Sequence, residues 1–130
     1  MEKLNCKSLM IGDLVLYTEF GKNEFHKIEI VEPTRVWLKG CKTYVPDEFI
    51  EPIPLTPEIL EKNGFVYKEE ERGMLGILIA PHYMREDVPF EIFCDGEPFA
   101  IWFQDPVNIK YVHEIQHALR LCGITKDIEL

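Results

Sequence analysis

Apolar and polar residues alternate in short runs through the first half of the chain and take on a helical period only near its end. Leu14-Val15-Leu16-Tyr17 follows the turn-like Ile11-Gly12-Asp13, and the alternation from Phe25 to Val31 sets Ile28 and Ile30 on one face. Arg35-Val36-Trp37-Leu38 and Thr43-Tyr44-Val45 read as two more strands, joined by Lys39-Gly40-Cys41-Lys42 as a hairpin turn. Short strands at this spacing predict a small antiparallel β unit, either an open meander or an SH3-like barrel.

Glu51-Pro52-Ile53-Pro54-Leu55 is extended, because a residue before proline avoids the helical region. Thr56 then caps a helix with Pro57 at its first position and Glu58 in its first turn, and Asn63-Gly64 ends it. The chain therefore reads as one domain of 130 residues, with a β-rich unit over 1–51, a connector over 52–55 and an α+β unit over 56–130.

Phe65 to Lys68 and Leu75 to Ile79 are the next predicted strands, followed by a loop from Pro81 to Asp87. Pro89-Phe90-Glu91-Ile92-Phe93 and Pro98-Phe99-Ala100-Ile101-Trp102-Phe103 form a near-repeat around Asp95-Gly96, a strong signal for a tight hairpin turn. Aromatics this dense serve core packing first, and Phe90, Phe93, Phe99 and Trp102 are the candidate partner surface if the hairpin is open. The last element is a helix from about Pro106 to Cys122 with Gly123 as its cap. The expected fold is α+β, with the C-terminal amphipathic helix packed on the sheet.

Charge narrows the function classes. The net charge of −9 repels a phosphate backbone, so general nucleic-acid binding is disfavoured. Nucleic-acid recognition by the β unit would require Lys22, Lys27, Arg35, Lys39 and Lys42 on one face. The longest apolar stretch, Met74 to Ala80, is too short to span a bilayer. Cys6, Cys41, Cys94 and Cys122 are widely spaced, with no Cys-x-x-Cys pair to chelate a metal. A cytoplasmic protein with reduced thiols is expected, and two disulfides are the alternative if a signal segment has been removed.

One string names a chemistry. His113-Glu114-Ile115-Gln116-His117 matches His-Glu-x-x-His, in which two imidazoles one helical turn apart hold zinc and the glutamate acts as general base on the bound water. Around the helix, Tyr111, Val112, Ile115, Ala118, Leu119 and Cys122 gather on one face, with His113 and His117 nearly opposite. Lys110 and Arg120 flank the histidines, and two fixed cations disfavour a dication. Only Asp127 and Glu129 follow as candidate third ligands, in a tail expected to be mobile. Four histidines and seventeen glutamates produce the string by chance in roughly one or two such chains per hundred. A solvated helix face is therefore the expected role, and zinc hydrolysis with Glu114 as base is the alternative.

His26 reads as a packed or edge strand histidine, and His82 sits with Tyr83, Arg85, Glu86 and Asp87 in a loop expected to be solvated, with a pocket lining as the alternative. The chain carries no glycine-rich phosphate loop and no nucleophile elbow.

Three segments recur together elsewhere: Leu9-Met10-Ile11-Gly12-Asp13-Leu14-Val15, then Glu51 to Leu60 with Asn63-Gly64-Phe65, then Ile109 to Gln116. In that order they resemble a family of small uncharacterised proteins from Bacteroides-type bacteria and their phages or mobile elements. The resemblance spans most of the chain through short motifs and implies no catalytic residue. Members typically end in a phrase like Tyr-Val-His-Glu-Leu-Gln-Asn, so His117 stands where that family has asparagine. The resemblance thus implies helix docking through Val112 and Ile115 rather than an inherited zinc motif.

The reading that follows is a non-enzymatic intracellular accessory or interaction module, without a cofactor, whose partner is another protein or a second copy of the chain.

Overall fold

The computed structural model describes residues 4, 6–69, 71–72, 78–94, 98–102, 105–124, 126 and 128–130. They form two five-stranded antiparallel sheets and a C-terminal helix packed on the sheet, an α+β layout. By contacts the chain divides into one unit of Met1–Pro54 with Tyr111–His113, and a second of Leu55–Lys110 with Glu114–Leu130.

The first unit is built from β1 (Leu14–Tyr17), β2 (Glu24–Val31), β3 (Arg35–Leu38), β4 (Val45–Pro46) and β5 (Ile50–Glu51), in the order β4-β3-β2-β1-β5. Its outermost strands are neighbours in the chain, joined by the 3-10 turn Asp47–Phe49. In a flat sheet those edges would lie roughly 19 Å apart, whereas four residues of chain reach at most about 15 Å. The sheet is therefore forced to curl. The turn sews the seam from both sides: the Asp47 N–H donates to Thr34 O at 3.0 Å, and the Thr18 N–H donates to Phe49 O at 2.9 Å. Among the described residues no ladder joins β4 to β5, so of the two alternatives, open meander or SH3-like barrel, the barrel is not closed. Val15, Ile28, Val36, Leu38, Val45 and Ile50 fill the concave side.

Ile30 departs from the expected alternation. The β2–β3 register shifts between Ile28 and Ile30, and this β-bulge flips every later side chain to the other face. Ile28 stays in the core, Ile30 is turned out, and Val31 packs inward instead. At the start of β1, buried Asp13 accepts the Met10 N–H on Oδ2 at 2.8 Å, which closes the entry turn.

In the second unit α1 spans Pro57–Lys62, and Thr56 Oγ1 accepts the Ile59 N–H at 3.3 Å. Its end is a Schellman motif: the Gly64 N–H reaches Glu61 O, the Phe65 N–H reaches Leu60 O, and Leu60 and Phe65 are both buried. The strands are β6 (Val66–Lys68), β7 (Glu71–Arg72), β8 (Leu78–Ile79), β9 (His82–Met84), β10 (Phe90–Phe93), β11 (Phe99–Trp102) and β12 (Asp105–Val107). The main sheet runs β12-β11-β10-β9-β6. The β7–β8 ladder pairs Glu71 with Ile79 and Arg72 with Leu78, in the register that pairs Val66 with Met84 and Lys68 with His82. The ladders β6–β9 and β7–β8 thus follow a single hairpin register.

Two expectations change here. The segment Pro81 to Asp87 contains strand β9, because Tyr83 pairs with both Tyr67 and Ile92. Asp105-Pro106-Val107 is an edge strand, where a proline without N–H is tolerated, and α2 begins later, at Val112, and ends at Leu121. Leu75 to Ile77 of the predicted strand, the Asp95-Gly96 turn and Phe103 lie outside the described residues.

Candidate functional site

The His-Glu-x-x-His string lies on α2, as its helical spacing requires, but its side chains have different surroundings. His113 is buried at 4% exposure, with its ring stacked on Tyr111 at 6.0 Å, whereas His117 is half-buried. The expected placement of both histidines on a solvated face is therefore corrected. Tyr111–His113 belong to the first unit and Glu114–Leu130 to the second. A single amphipathic stripe does not describe this helix, in which His113 and Gln116 are buried along with Val112, Ile115, Ala118 and Leu119.

Glu114 has a structural job. Its Oε1 accepts the Lys110 N–H at 2.9 Å, reaching back over the start of the helix as a capping-box glutamate does. That carboxylate also favours the positive end of the helix dipole. The tail that was expected to be mobile is anchored: Ile128 is buried, and Glu129 pairs with Asn63 through both backbone groups. Asp127 lies outside the described residues. Among the described residues no three His, Cys, Asp or Glu side chains gather as a metal-binding group.

The aromatic hairpin splits in two. Directly paired residues on neighbouring strands share a face. Phe90 pairs with Trp102 and Ile92 with Ala100, while Phe93 pairs with Phe99. The first set forms the core side, with Phe90 at 2% exposure and its ring 5.2 Å from Trp102. Phe90 is therefore withdrawn as a surface candidate. Phe93 and Phe99 lie on the other side, stacked at 5.1 Å with 13° between their planes, and Phe99 is 37% exposed. His82 packs beside them, 5.4 Å from Phe93, buried rather than solvated, with Nδ1 at 2.9 Å from Ala80 O. By the same alternation Met84 and Ile101 join this side, and both are half-buried.

The five basic residues that nucleic-acid recognition by the β unit would require do not gather on one face. Lys27 points opposite to His26 on β2, whereas Lys22 and Lys42 line a cleft on the His26 side. Arg35 is engaged by Glu32 at 2.7 Å and lies over the Tyr44 ring at 3.9 Å. That arginine holds the Glu32 carboxyl below the ordinary carboxylate range.

In the second unit a cleft of ≈ 500 Å³ is lined by Lys62, Asn63, Arg85, Asp87, Lys126 and Glu129, among others. Its polar groups are largely committed to holding the fold. Arg85 forks onto both carboxylate oxygens of Asp87, donates to Asn63 O at 3.1 Å and lies 5.4 Å over the Phe65 ring. The Asp87 carboxyl is in consequence held below its usual range. Lys62 Nζ donates to Leu130 O at 3.0 Å. This constellation needs residues far apart in sequence, and Asn63 signals only a helix end when read locally.

No family model, curated protein or solved structure matches the chain.

Proposed function

We propose that the protein is a non-enzymatic cytoplasmic interaction module that docks another polypeptide on the open face of its second sheet. The observation that carries this reading is the stacked Phe93–Phe99 pair, set on the face opposite Phe90 and Ile92 and partly open to solvent. Two aromatic rings with half-buried Met84 and Ile101 make an apolar patch on a strongly acidic chain. Such patches gain free energy by losing water, and aromatic anchors are enriched where partners bind. The chain's net charge of −9 favours a partner of positive net charge.

Thiol chemistry supports an intracellular setting. Cys6, Cys41, Cys94 and Cys122 are all unbridged, and burial raises each thiol above its ordinary range, which keeps it protonated and unreactive. No helix among the described residues is long and apolar enough to cross a membrane.

The test is the double substitution Phe93→Ser with Phe99→Ser, checked for retained fold by circular dichroism. Wild-type protein is expected to retain a partner that the variant loses, with the purified pair reconstituted by titration calorimetry. A self-associating wild type and a monomeric variant would identify that partner as a second copy. Equal binding by wild type and variant would remove the aromatic face from consideration.

A further inference from the structure

The concave face of the first unit changes character along its length. Val15 pairs with His26 and Tyr17 with Glu24, so these four side chains and Ile28 share that face. Val15 and Ile28 are core, and Tyr17 belongs to the same cluster with 8% of its surface exposed. Further along the same strands the face turns polar and opens into a cleft of ≈ 300 Å³, lined by Tyr17, Lys22, Glu24, His26, Cys41 and Lys42 among others.

Its walls form a consistent chemical set. The Tyr17 hydroxyl donates to Glu19 Oε2 at 2.6 Å. His26 faces Glu24 Oε2 through Nε2 at 3.0 Å and Lys39 O through Nδ1 at 3.0 Å. The Tyr17 and His26 rings meet edge-on at 5.7 Å. Lys22 Nζ lies 5.9 Å over the Tyr17 ring, close to the outer limit of a cation–π contact. Lys22 thus covers the Tyr17 ring with Glu19 and Glu24 beside it, so the cleft already holds one cation, an ammonium group tethered by the neighbouring loop.

That loop carries a second signal. Phe20, two residues before Lys22, is 87% exposed and sits at φ 58° and ψ 31°. A left-handed backbone is rare for a bulky residue and persists only where surrounding structure enforces it, most often at functional positions. Here it leaves an apolar ring exposed two residues from Lys22.

We propose that this cleft binds the arginine or lysine side chain of a basic peptide segment, which displaces Lys22 from Tyr17 while its flanking apolar residue packs on Phe20. Arginine fits best, because a planar guanidinium stacks on an aromatic ring and forks onto a carboxylate at the same time. The net charge of −9 draws such a segment in and repels nucleic acid. The site lies in the first unit and is independent of the Phe93–Phe99 face.

The probe is a seven-residue peptide with one arginine between leucines, against its citrulline counterpart, titrated by calorimetry and by amide chemical shifts of the full chain. Shifts centred on Tyr17, Glu24 and His26 are expected, with the neutral citrulline peptide roughly tenfold weaker. Lys22→Ala removes the competing cation and is expected to tighten binding. Glu24→Gln is expected to weaken it by about tenfold, whereas Glu29→Gln, an exposed carboxylate on the same strand, leaves it unchanged. Phe20→Gly is expected to raise stability and lower affinity together. Equal weakening by Glu29→Gln and Glu24→Gln, or shifts scattered over the acidic surface, would overturn the proposal in favour of general charge attraction.

Discussion

Asn63 holds Glu129 by both of its backbone groups. The Asn63 amide Nδ2 donates to Glu129 O at 2.8 Å, and the Glu129 N–H donates to Asn63 Oδ1 at 2.7 Å. The same Nδ2 also donates to Ile59 O at 2.7 Å, so one side chain finishes α1 and fixes the tail. With three hydrogen bonds at stake, Asn63→Ala is expected to cost about 2 kcal/mol. Denaturant unfolding measures that loss, and hydrogen exchange should show the Glu129 amide losing its protection while the core strands keep theirs.

Opposite faces of one hairpin should respond differently to truncation. Phe90 is buried against Phe65 and Trp102, so Phe90→Ala leaves a cavity and is expected to cost about 3–5 kcal/mol. Phe99→Ala removes a partly exposed ring and is expected to cost about 1 kcal/mol or less. Comparable losses in urea unfolding would place both rings in the core.

Gly123 isolates the cost of a backbone conformation. It ends α2 at φ +78° in a Schellman motif, with the Ile124 N–H donating to Leu119 O at 2.9 Å. A Cβ there would meet nothing within 4 Å, so no clash accompanies a substitution. Gly123→Ala is expected to cost about 1 kcal/mol from backbone strain alone, with unchanged near-ultraviolet dichroism.

Glu114 separates the two readings of the His-Glu-x-x-His string. As a cap on the Lys110 N–H it contributes stability, and Glu114→Ala is expected to cost roughly 0.5–1 kcal/mol, with His117→Ala within about 0.5 kcal/mol of wild type. Zinc content of protein purified without chelator is expected to be the same, and substoichiometric, in wild type and His117→Ala. Stoichiometric zinc that His117→Ala abolishes would restore the hydrolase reading.

Asp87 predicts an acid limb to stability. Arg85 holds its carboxyl below the ordinary value, so the folded state binds this proton later than the unfolded chain does. The contribution is present above the unfolded value near pH 4 and fades as pH falls through the lower folded value. With the Asp87 side chain 53% exposed, solvent screens much of it. Urea midpoints measured from about pH 5 down to pH 2 should fall less for Asp87→Asn than for wild type.

Local chemistry was legible wherever one residue type answers one backbone need. Thr56-Pro57 opens a helix, and Gly64 and Gly123 close helices at positive φ, because few other residues satisfy those orphaned groups without strain. The strands at Leu14–Tyr17 and Arg35–Leu38 were likewise written in their own alternation. Tertiary pairing decided what depends on distant partners. A bulge opposite Leu38 and Trp37 turned Ile30 out and Val31 in, and Tyr83 became a strand residue only because Tyr67 and Ile92 flank it. His113 is buried, which the helical period of its own segment did not reveal. The cleft proposed for a basic side chain follows the same logic: Tyr17, Glu24 and His26 mean little in sequence, and antiparallel register sets them on one face, in a cleft that Lys22 also lines. Backbone preference is a property of a residue, whereas face, burial and site are properties of the pairing.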